Sequence, residues 1–141
     1  MKQLKPKIRV LVVDDHSTFA DSLALILNQD SCEAIAVYSG EQAVEAATLF
    51  RPDVLISDVI MDGINGIETA ILIGEAFPAC EIVLVSGQLH TGPLLERARQ
   101  QGHDFEVLAK PVHPETILRR LNGRNALYQI PDAIREKPPL A

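Results

Sequence analysis

Five short apolar runs alternate along the chain with longer segments whose apolar residues recur at helical spacing. The first run, IRVLVV (Ile8 to Val13), is β-branched and almost continuous, which is typical of a strand buried on both faces of a parallel sheet. Four further runs of similar length are rich in aliphatic residues. The predicted strands are 8–13, 33–38, 53–57, 81–85 and 105–109.

A helical segment follows each predicted strand. In the first, HSTFADSLALILNQD, Ser17 or Thr18 is the expected N-cap. In the second, EQAVEAATLF, the preceding Ser39 forms with Gln42 a pattern that resembles a capping box. The remaining predicted helices contain GIETAILIGEAF, LLERARQQ and PETILRRL.

Alternating strands and helices with short connections predict a doubly wound α/β fold. We expect a five-stranded parallel sheet in the flavodoxin-like order 2-1-3-4-5, with helices on both faces and ligands bound at the carboxyl ends of the strands. One domain is expected over 8–121, after a lead-in of residues 1–7. The tail, 122–141, contains three prolines and scattered charges, and is expected to be a helix extension followed by disorder.

Composition argues against several classes of function. The chain has 141 residues, which suits one domain, and its formal charge of −6 argues against direct nucleic-acid binding and against an anionic membrane surface as partner. Two cysteines form neither a disulfide framework nor a metal cluster, and no run approaches the length of a membrane span. We therefore expect a cytoplasmic protein.

Polar residues follow four of the predicted strands. Asp14 and Asp15 follow the first strand, Asp58 the third, Ser86 the fourth and Lys110 the fifth. In a doubly wound sheet these ends converge on one crevice. Carboxylates held close together repel, and a divalent cation such as Mg²⁺, which prefers carboxylate oxygens, removes that repulsion. A carboxylate facing a cation and a lysine is suited to phosphoryl transfer, and can itself be the nucleophile.

Taken singly, each of these residues has an ordinary explanation. An aspartate pair after a strand is often a turn or a helix cap, and a Ser-Gly or Lys-Pro pair is often a surface turn. Their joint occurrence on the appropriate strands in the appropriate order is what makes the pattern specific.

The chain resembles the receiver domain of bacterial two-component response regulators. The matching segments are VLVVDDH from Val10, SDVIMDGING from Ser57, VLVSG from Val83 and LAKPV from Leu108, and the resemblance extends over about 8–121. It implies a stand-alone signalling module that catalyses its own phosphorylation and dephosphorylation. It also implies a sensor histidine kinase or a histidine phosphotransfer protein as phosphoryl donor, and an unidentified downstream protein target.

The resemblance also implies a role for individual residues. Asp58 would be the phospho-acceptor, with Lys110 and Ser86 contacting the phosphoryl group. Mg²⁺ would be bound by Asp14, Asp15, Asp58 and the backbone carbonyl of Ile60. The Lys110–Pro111 peptide bond would be cis, which is accessible because the second residue is proline.

The chain departs from the family pattern at two positions. Asp62 stands where the family usually has proline, so the loop after Asp58 is expected to be less rigid, with an extra carboxylate near the site. Val107 stands where the family often has Tyr or Phe. The nearest aromatic, Phe105, shares a strand face with Val107 but lies about 6.6 Å further along, so an aromatic switch coupled to Ser86 is not expected.

Two other functions compete with signalling by phosphorylation. A haloacid-dehalogenase-like phosphatase also uses an aspartyl phosphate, Mg²⁺ and lysine, but its nucleophile follows the first strand in an Asp-x-Asp pattern, which differs from Asp14-Asp15-His16. A degenerate receiver would bind partners without being phosphorylated. His16 is expected to be a partly exposed loop residue, with a position lining the crevice as the alternative. The four histidines show no metal-ligand spacing.

Overall fold

The computed structural model describes residues 6–30, 32–87 and 91–128, with side chains described up to residue 121. Ten elements alternate along it as predicted. The strands are β1 (Ile8–Val13), β2 (Cys32–Val37), β3 (Val54–Asp58), β4 (Glu81–Ser86) and β5 (Glu106–Ala109). The helices are α1 (Ser17–Asn28), α2 (Gly40–Phe50), α3 (Gly66–Ala76), α4 (Gly92–Gln100) and α5 (Pro114–Tyr128).

The five strands form one parallel sheet in the order β2-β1-β3-β4-β5, which confirms the predicted fold class and strand order. The order reverses between β1 and β3, so the carboxyl ends of these two neighbours open a crevice. Their register aligns Val13 with Ser57, and Asp58 on β3 aligns with Val85 on β4. The residues just beyond β1, β3 and β4 therefore lie side by side.

Period-two alternation within the strands builds a hydrophobic core on each face of the sheet. Val10 and Val12 on β1 pack with α1 and α5, whereas Leu11 and Val13 pack with α2, α3 and α4. The same division separates Leu55 from its neighbours on β3. Because the central strands are buried on both faces, they can be almost continuously apolar, as the sequence indicated.

Several predicted boundaries move by one residue. Strand β3 starts at Val54 instead of residue 53, where the Asp53 carboxylate accepts a hydrogen bond from the Arg9 backbone N–H at 2.9 Å. Strands β2 and β5 also differ from the predicted ranges by one residue at one or both ends. Helix α5 continues past residue 121 to Tyr128, consistent with a helix extension. The disorder predicted for the end of the tail lies outside the described residues, as does most of the lead-in.

Two capping predictions need correction. The N-cap of α1 is His16, and neither Ser17 nor Thr18, since the helix already begins at Ser17. The Ser39 side chain caps α2 by accepting from the Gln42 N–H at 3.0 Å. The reciprocal bond of a capping box is missing, because the Gln42 side chain accepts from the preceding backbone N–H, that of Tyr38, at 2.9 Å.

Candidate functional site

Three carboxylates converge at the carboxyl ends of β1 and β3, as the sequence predicted. Asp14 and Asp15 follow β1, and Asp58 is the last residue of β3. One ligand atom from each of these residues, together with one from His16, lies within 4.8 Å of all the others. Asp14 is 1% exposed and Asp58 is 6% exposed, so two of the three carboxylates are buried.

Lys110, which follows β5, reaches across the crevice to these carboxylates. Its Nζ lies 2.8 Å from Asp14 Oδ2 and 3.5 Å from Asp58 Oδ2. Its backbone N–H donates to the Ser86 carbonyl at 2.9 Å, which fixes the start of the loop, and the Lys110–Pro111 bond is cis as expected. The ammonium also lies 4.7 Å from the centroid of the Phe19 ring on α1, a cation–π contact that the sequence did not indicate.

Ser86 ends β4, next to the strand end that carries Asp58. Its hydroxyl forms a hydrogen bond of 3.1 Å with that of Thr91, and both residues are buried. Thr91 is the N-cap of α4, so this bond links the end of β4 to the start of that helix. Thr91 carries no distinctive signal in the sequence, because a threonine before a Gly-Pro pair indicates only a turn or a helix start.

The loop after Asp58 is held by backbone contacts. The Val59 N–H donates to the Val85 carbonyl at 3.0 Å, and the Gly66 N–H donates to the Val59 carbonyl at 2.7 Å. A Cβ atom at Gly66 would lie 1.9 Å from the carbonyl oxygen of Asp58, a distance that no side chain permits. Glycine at this position therefore lets α3 begin directly against the candidate acceptor. Ile60, whose carbonyl is the expected cation ligand, lies on this loop and is partly exposed.

The capping of α3 orders the far side of the same loop. The Asn65 side chain accepts from the Glu68 N–H at 2.8 Å, and the Glu68 side chain accepts from the Asn65 N–H at 3.1 Å. This is a complete capping box, which the Asn-x-x-Glu spacing in the sequence would have indicated. Glu41 on α2 also accepts from the Ile64 N–H at 3.1 Å. The loop is thus tied down at its start and at its end.

The charges of the site act on one another strongly. Burial raises the pKa of Asp58, the attraction of Lys110 opposes this, and the charges of Asp14 and Asp15 raise it further. Burial lowers the pKa of Lys110, but the hydrogen bond to Asp14 and the charges of Asp58 and Asp14 outweigh it, so the net shift is upward. The lysine is therefore a firmly charged group, whereas the ionised form of Asp58 is disfavoured.

The donor set fits a hard divalent cation. Three carboxylates and one ammonium leave an excess of negative charge in the crevice, and oxygen atoms are the ligands that Mg²⁺ prefers. A cation bound by Asp14, Asp15 and Asp58 would stabilise the ionised form of Asp58. The imidazole of His16 is a softer ligand than these oxygens.

The two departures from the family pattern lie in different places. Asp62 is exposed on the loop after Asp58, outside the cluster of carboxylates. Phe105 and Val107 pack against the same hydrophobic core, although Phe105 directly precedes β5 and is not part of it. Because Ser86 aligns with Ala109, Phe105 lies four residues before the position beside Ser86, about 13 Å away for an extended chain, and its ring stacks on that of His103 instead.

His16 is both exposed to solvent and in contact with the crevice, the two positions that the sequence offered as alternatives. Its side chain is 77% exposed, yet Nδ1 lies 3.2 Å from Asp14 Oδ1 and 3.4 Å from Asp15 Oδ1. The ring therefore sits at the rim of the crevice with one nitrogen directed at the acidic pair. The sequence showed that a histidine adjoins two aspartates, but it did not show the direction in which the ring points.

Residues 10–122 match the response regulator receiver domain family, which is most of the chain. The chain therefore belongs to this family, the receiver of two-component signalling proteins. A receiver is a signalling module and not a classical enzyme. This membership confirms the predicted resemblance and argues against the haloacid-dehalogenase-like alternative.

Curated relatives and solved structures agree with this assignment. The chain is 30% identical to protein PilH of Pseudomonas aeruginosa over 117 residues, covering 82% of this chain and 95% of PilH. It is 27% identical to the DNA-binding response regulator MtrA of Mycobacterium tuberculosis over 116 residues, again covering 82% of this chain. The chain spans about half the length of MtrA, since the match covers 50% of that protein.

Solved receiver structures match over nearly their whole length. Chemotaxis protein CheY4 of Vibrio cholerae superimposes with a TM-score of 0.72 at 26% identity, covering 83% of this chain and 98% of that one. A CheY-like receiver domain protein from Methanospirillum hungatei superimposes with a TM-score of 0.76 at 19% identity, covering 87% and 97%, which bears on the fold alone. Within the described part of the chain, none of the helices has the length and apolar character needed to cross a membrane.

Proposed function

We propose that this receiver is a phosphorylation-dependent signalling module in which Asp58 accepts a phosphoryl group from a phosphohistidine. The donor would be a sensor histidine kinase or a histidine phosphotransfer protein, and Mg²⁺ would be the cofactor. The observation that carries the proposal is the buried Asp58 carboxylate with the Lys110 ammonium 3.5 Å away and two further carboxylates beside it. The proposal also includes the predicted domain limits, 8–121, and a cytoplasmic location.

The chemistry assigns a separate task to each residue. An Asp58 oxygen attacks phosphorus while the P–N bond to the donor breaks and its electrons remain on the departing imidazole. Bound Mg²⁺ would neutralise charge on the phosphoryl oxygens, and Asp14, Asp15, Asp58 and the Ile60 carbonyl would hold it. Lys110, charged and already directed at Asp58, would contact a phosphoryl oxygen. The receiver thus catalyses its own phosphorylation, and its dephosphorylation by water.

The signal would leave the site through Ser86. Phosphorylation adds negative charge and strong acceptors at Asp58, which offers the Ser86 hydroxyl a new partner in place of Thr91. Because Thr91 starts α4, exchange of this bond would alter the packing of that helix and shift the population between two conformations. A downstream protein that recognises one conformation would be the partner. We propose no direct contact with nucleic acid or membrane.

Phosphorylation with a small-molecule donor tests the proposal. Wild type and Asp58→Asn are incubated with acetyl phosphate and Mg²⁺, and intact masses are measured. We expect one added phosphoryl group on the wild type and none on Asp58→Asn. Asp62→Asn is the matched control, since Asp62 is an exposed aspartate on the same loop, and it should be modified like the wild type.

Three outcomes would count against the proposal. If the wild type gains no mass, the degenerate-receiver alternative is favoured. If Asp58→Asn is modified and Asp62→Asn is not, the acceptor has been assigned to the wrong aspartate. Sustained turnover of p-nitrophenyl phosphate would favour an enzyme, because a receiver should not hydrolyse a generic ester.

A further inference from the structure

His16 has a position that the family's oxygen-ligand site does not require. Its Nδ1 lies 3.2 Å and 3.4 Å from carboxylate oxygens of Asp14 and Asp15. Ligand atoms bound to one ion at about 2.0–2.2 Å lie at most about 4.4 Å apart. One ligand atom from each of the four residues already lies within 4.8 Å of the others, so a small contraction would bring all of them onto a single ion.

The backbone turns this ring toward the crevice. His16 is the N-cap of α1, with extended φ and ψ angles of −83° and 94°, and its side chain does not cap the helix. Its backbone N–H donates to Asp14 Oδ1 at 2.9 Å, which fixes the residue against the acidic pair. Since the side chain is 77% exposed, the second ring nitrogen can keep its proton and bond to water while Nδ1 offers a lone pair.

An imidazole ligand changes which ion a carboxylate site prefers. Carboxylate, carbonyl and water oxygens suit Mg²⁺, whereas imidazole suits Zn²⁺, Ni²⁺, Cu²⁺ and iron. In a site of three carboxylates and one imidazole, the bond from the imidazole would therefore increase the affinity for transition ions, and would add little to the affinity for Mg²⁺. Mn²⁺ is a divalent first-row transition ion that also accepts carboxylate oxygens. Its binding can therefore report on both the carboxylate ligands and the imidazole.

We propose that His16 is a direct ligand at the cation site and shifts the preference of the site from Mg²⁺ toward divalent transition ions. This inference rests on the proposed function, because it needs the cation site formed by Asp14, Asp15 and Asp58. The alternative for His16 is a hydrogen bond from its ring to Asp14, without ligation.

Pulsed EPR of bound Mn²⁺ distinguishes these two roles. The full chain is loaded with Mn²⁺ alone, and the spectrum is searched for the hyperfine coupling of a ligating ¹⁴N nucleus. We expect this coupling in the wild type and in His103→Gln, a control histidine that stacks on Phe105, and its loss in His16→Gln. By calorimetry, His16→Gln should lower Mn²⁺ affinity about 10-fold, the scale of perturbing a metal site, and Mg²⁺ affinity less than about 2-fold.

The failures are separable from one another. If Mn²⁺ binds, is displaced by excess Mg²⁺ and shows no nitrogen coupling, His16 is not a ligand and this inference is overturned while the cation site stands. If Mn²⁺ does not bind to the wild type, both this inference and the cofactor of the proposed function are overturned. Equal loss of Mn²⁺ and Mg²⁺ affinity in His16→Gln would also overturn this inference, because His16 would then not favour transition ions over Mg²⁺.

Discussion

At the scale of single residues, Asp58 is a buried carboxylate whose surroundings oppose its charge. Burial and the neighbouring aspartates raise its pKa above the ordinary value of 3.8. A carboxyl whose pKa is raised by folding weakens the folded state wherever it is ionised. This cost is present at neutral pH, and it disappears as the pH falls through the raised pKa and below 3.8.

Asp58→Asn should therefore stabilise the metal-free protein at neutral pH, and the gain should shrink toward zero as the pH is lowered to about 4. Urea unfolding of both proteins at each pH measures the difference in free energy of unfolding. Asp62→Asn, on the exposed part of the same loop, should show no such pH-dependent gain. A gain for Asp58→Asn that is equal at both pH values would contradict the electrostatic explanation.

Phe19 contacts the lysine of the site through its aromatic ring. The ring faces the Lys110 ammonium at 4.7 Å, and the Lys110 side chain is 21% exposed. Cation–π contacts of this kind contribute about 0.5–1 kcal/mol, so Phe19→Leu should lower the free energy of unfolding by about that amount, measured by urea denaturation. Phe19→Tyr keeps an aromatic face and should restore most of this stability. Equal stabilities for the Leu and Tyr variants would mean that the contact between the ring and the ammonium contributes nothing.

At the scale of elements, the start of α3 determines how Asp58 is held. Gly66→Ala would place Cβ 1.9 Å from the Asp58 carbonyl oxygen, so the helix or the strand end must move. We expect a loss of about 1–3 kcal/mol in the free energy of unfolding, typical of overpacking, measured by urea denaturation.

Gly74→Ala is the matched control in the same helix. Its nearest contact would be a methyl group of Ile82 at 3.3 Å, and alanine favours a helix over glycine by about 1 kcal/mol. This variant should be neutral or slightly stabilised. If Gly66→Ala were equally well tolerated, the close approach of α3 to Asp58 would not be a structural requirement.

At the scale of the whole molecule, the site brings together the neighbouring elements β1 and α1 with the ends of β3 and β5, which are distant from them in sequence. The carboxylates come from the ends of β1 and β3, the ammonium from beyond β5, and the aromatic ring from α1. A ligand that contacts the carboxylates and the ammonium together binds the folded chain and not the unfolded one, and so it stabilises the fold.

Mg²⁺ with beryllofluoride should therefore raise the melting temperature of the wild type. At 100 times the dissociation constant the gain is about 2.7 kcal/mol, which for a domain of this size is about 5–10 °C by calorimetry. Asp58→Asn should lose most of this increase. An unchanged increase in that variant would mean that the ligand binds elsewhere on the protein.

The residues that ended the predicted strands are those that meet in the site. Apolar runs predicted where each strand lies, and parallel alternation predicted that Asp14, Asp58 and Lys110 would converge. The start of β3 differs from the prediction by one residue, next to Asp53, whose side chain forms a contact with Arg9 that is distant in sequence. The N-cap of α1 was wrongly predicted because capping preference describes an average, whereas His16 and the acidic pair set the local geometry.

The sequence by itself determined the element order, the parallel sheet, the family and the acidic crevice with its lysine, because periodicity and strand-end residues are local features of the chain. Only the tertiary structure decided that Phe19 lies against Lys110, that Ser86 bonds to Thr91, that α3 begins against the Asp58 carbonyl, and that the ring of His16 faces the acidic pair. These contacts depend on side-chain directions and on the distances between packed elements, which no local pattern of residues encodes.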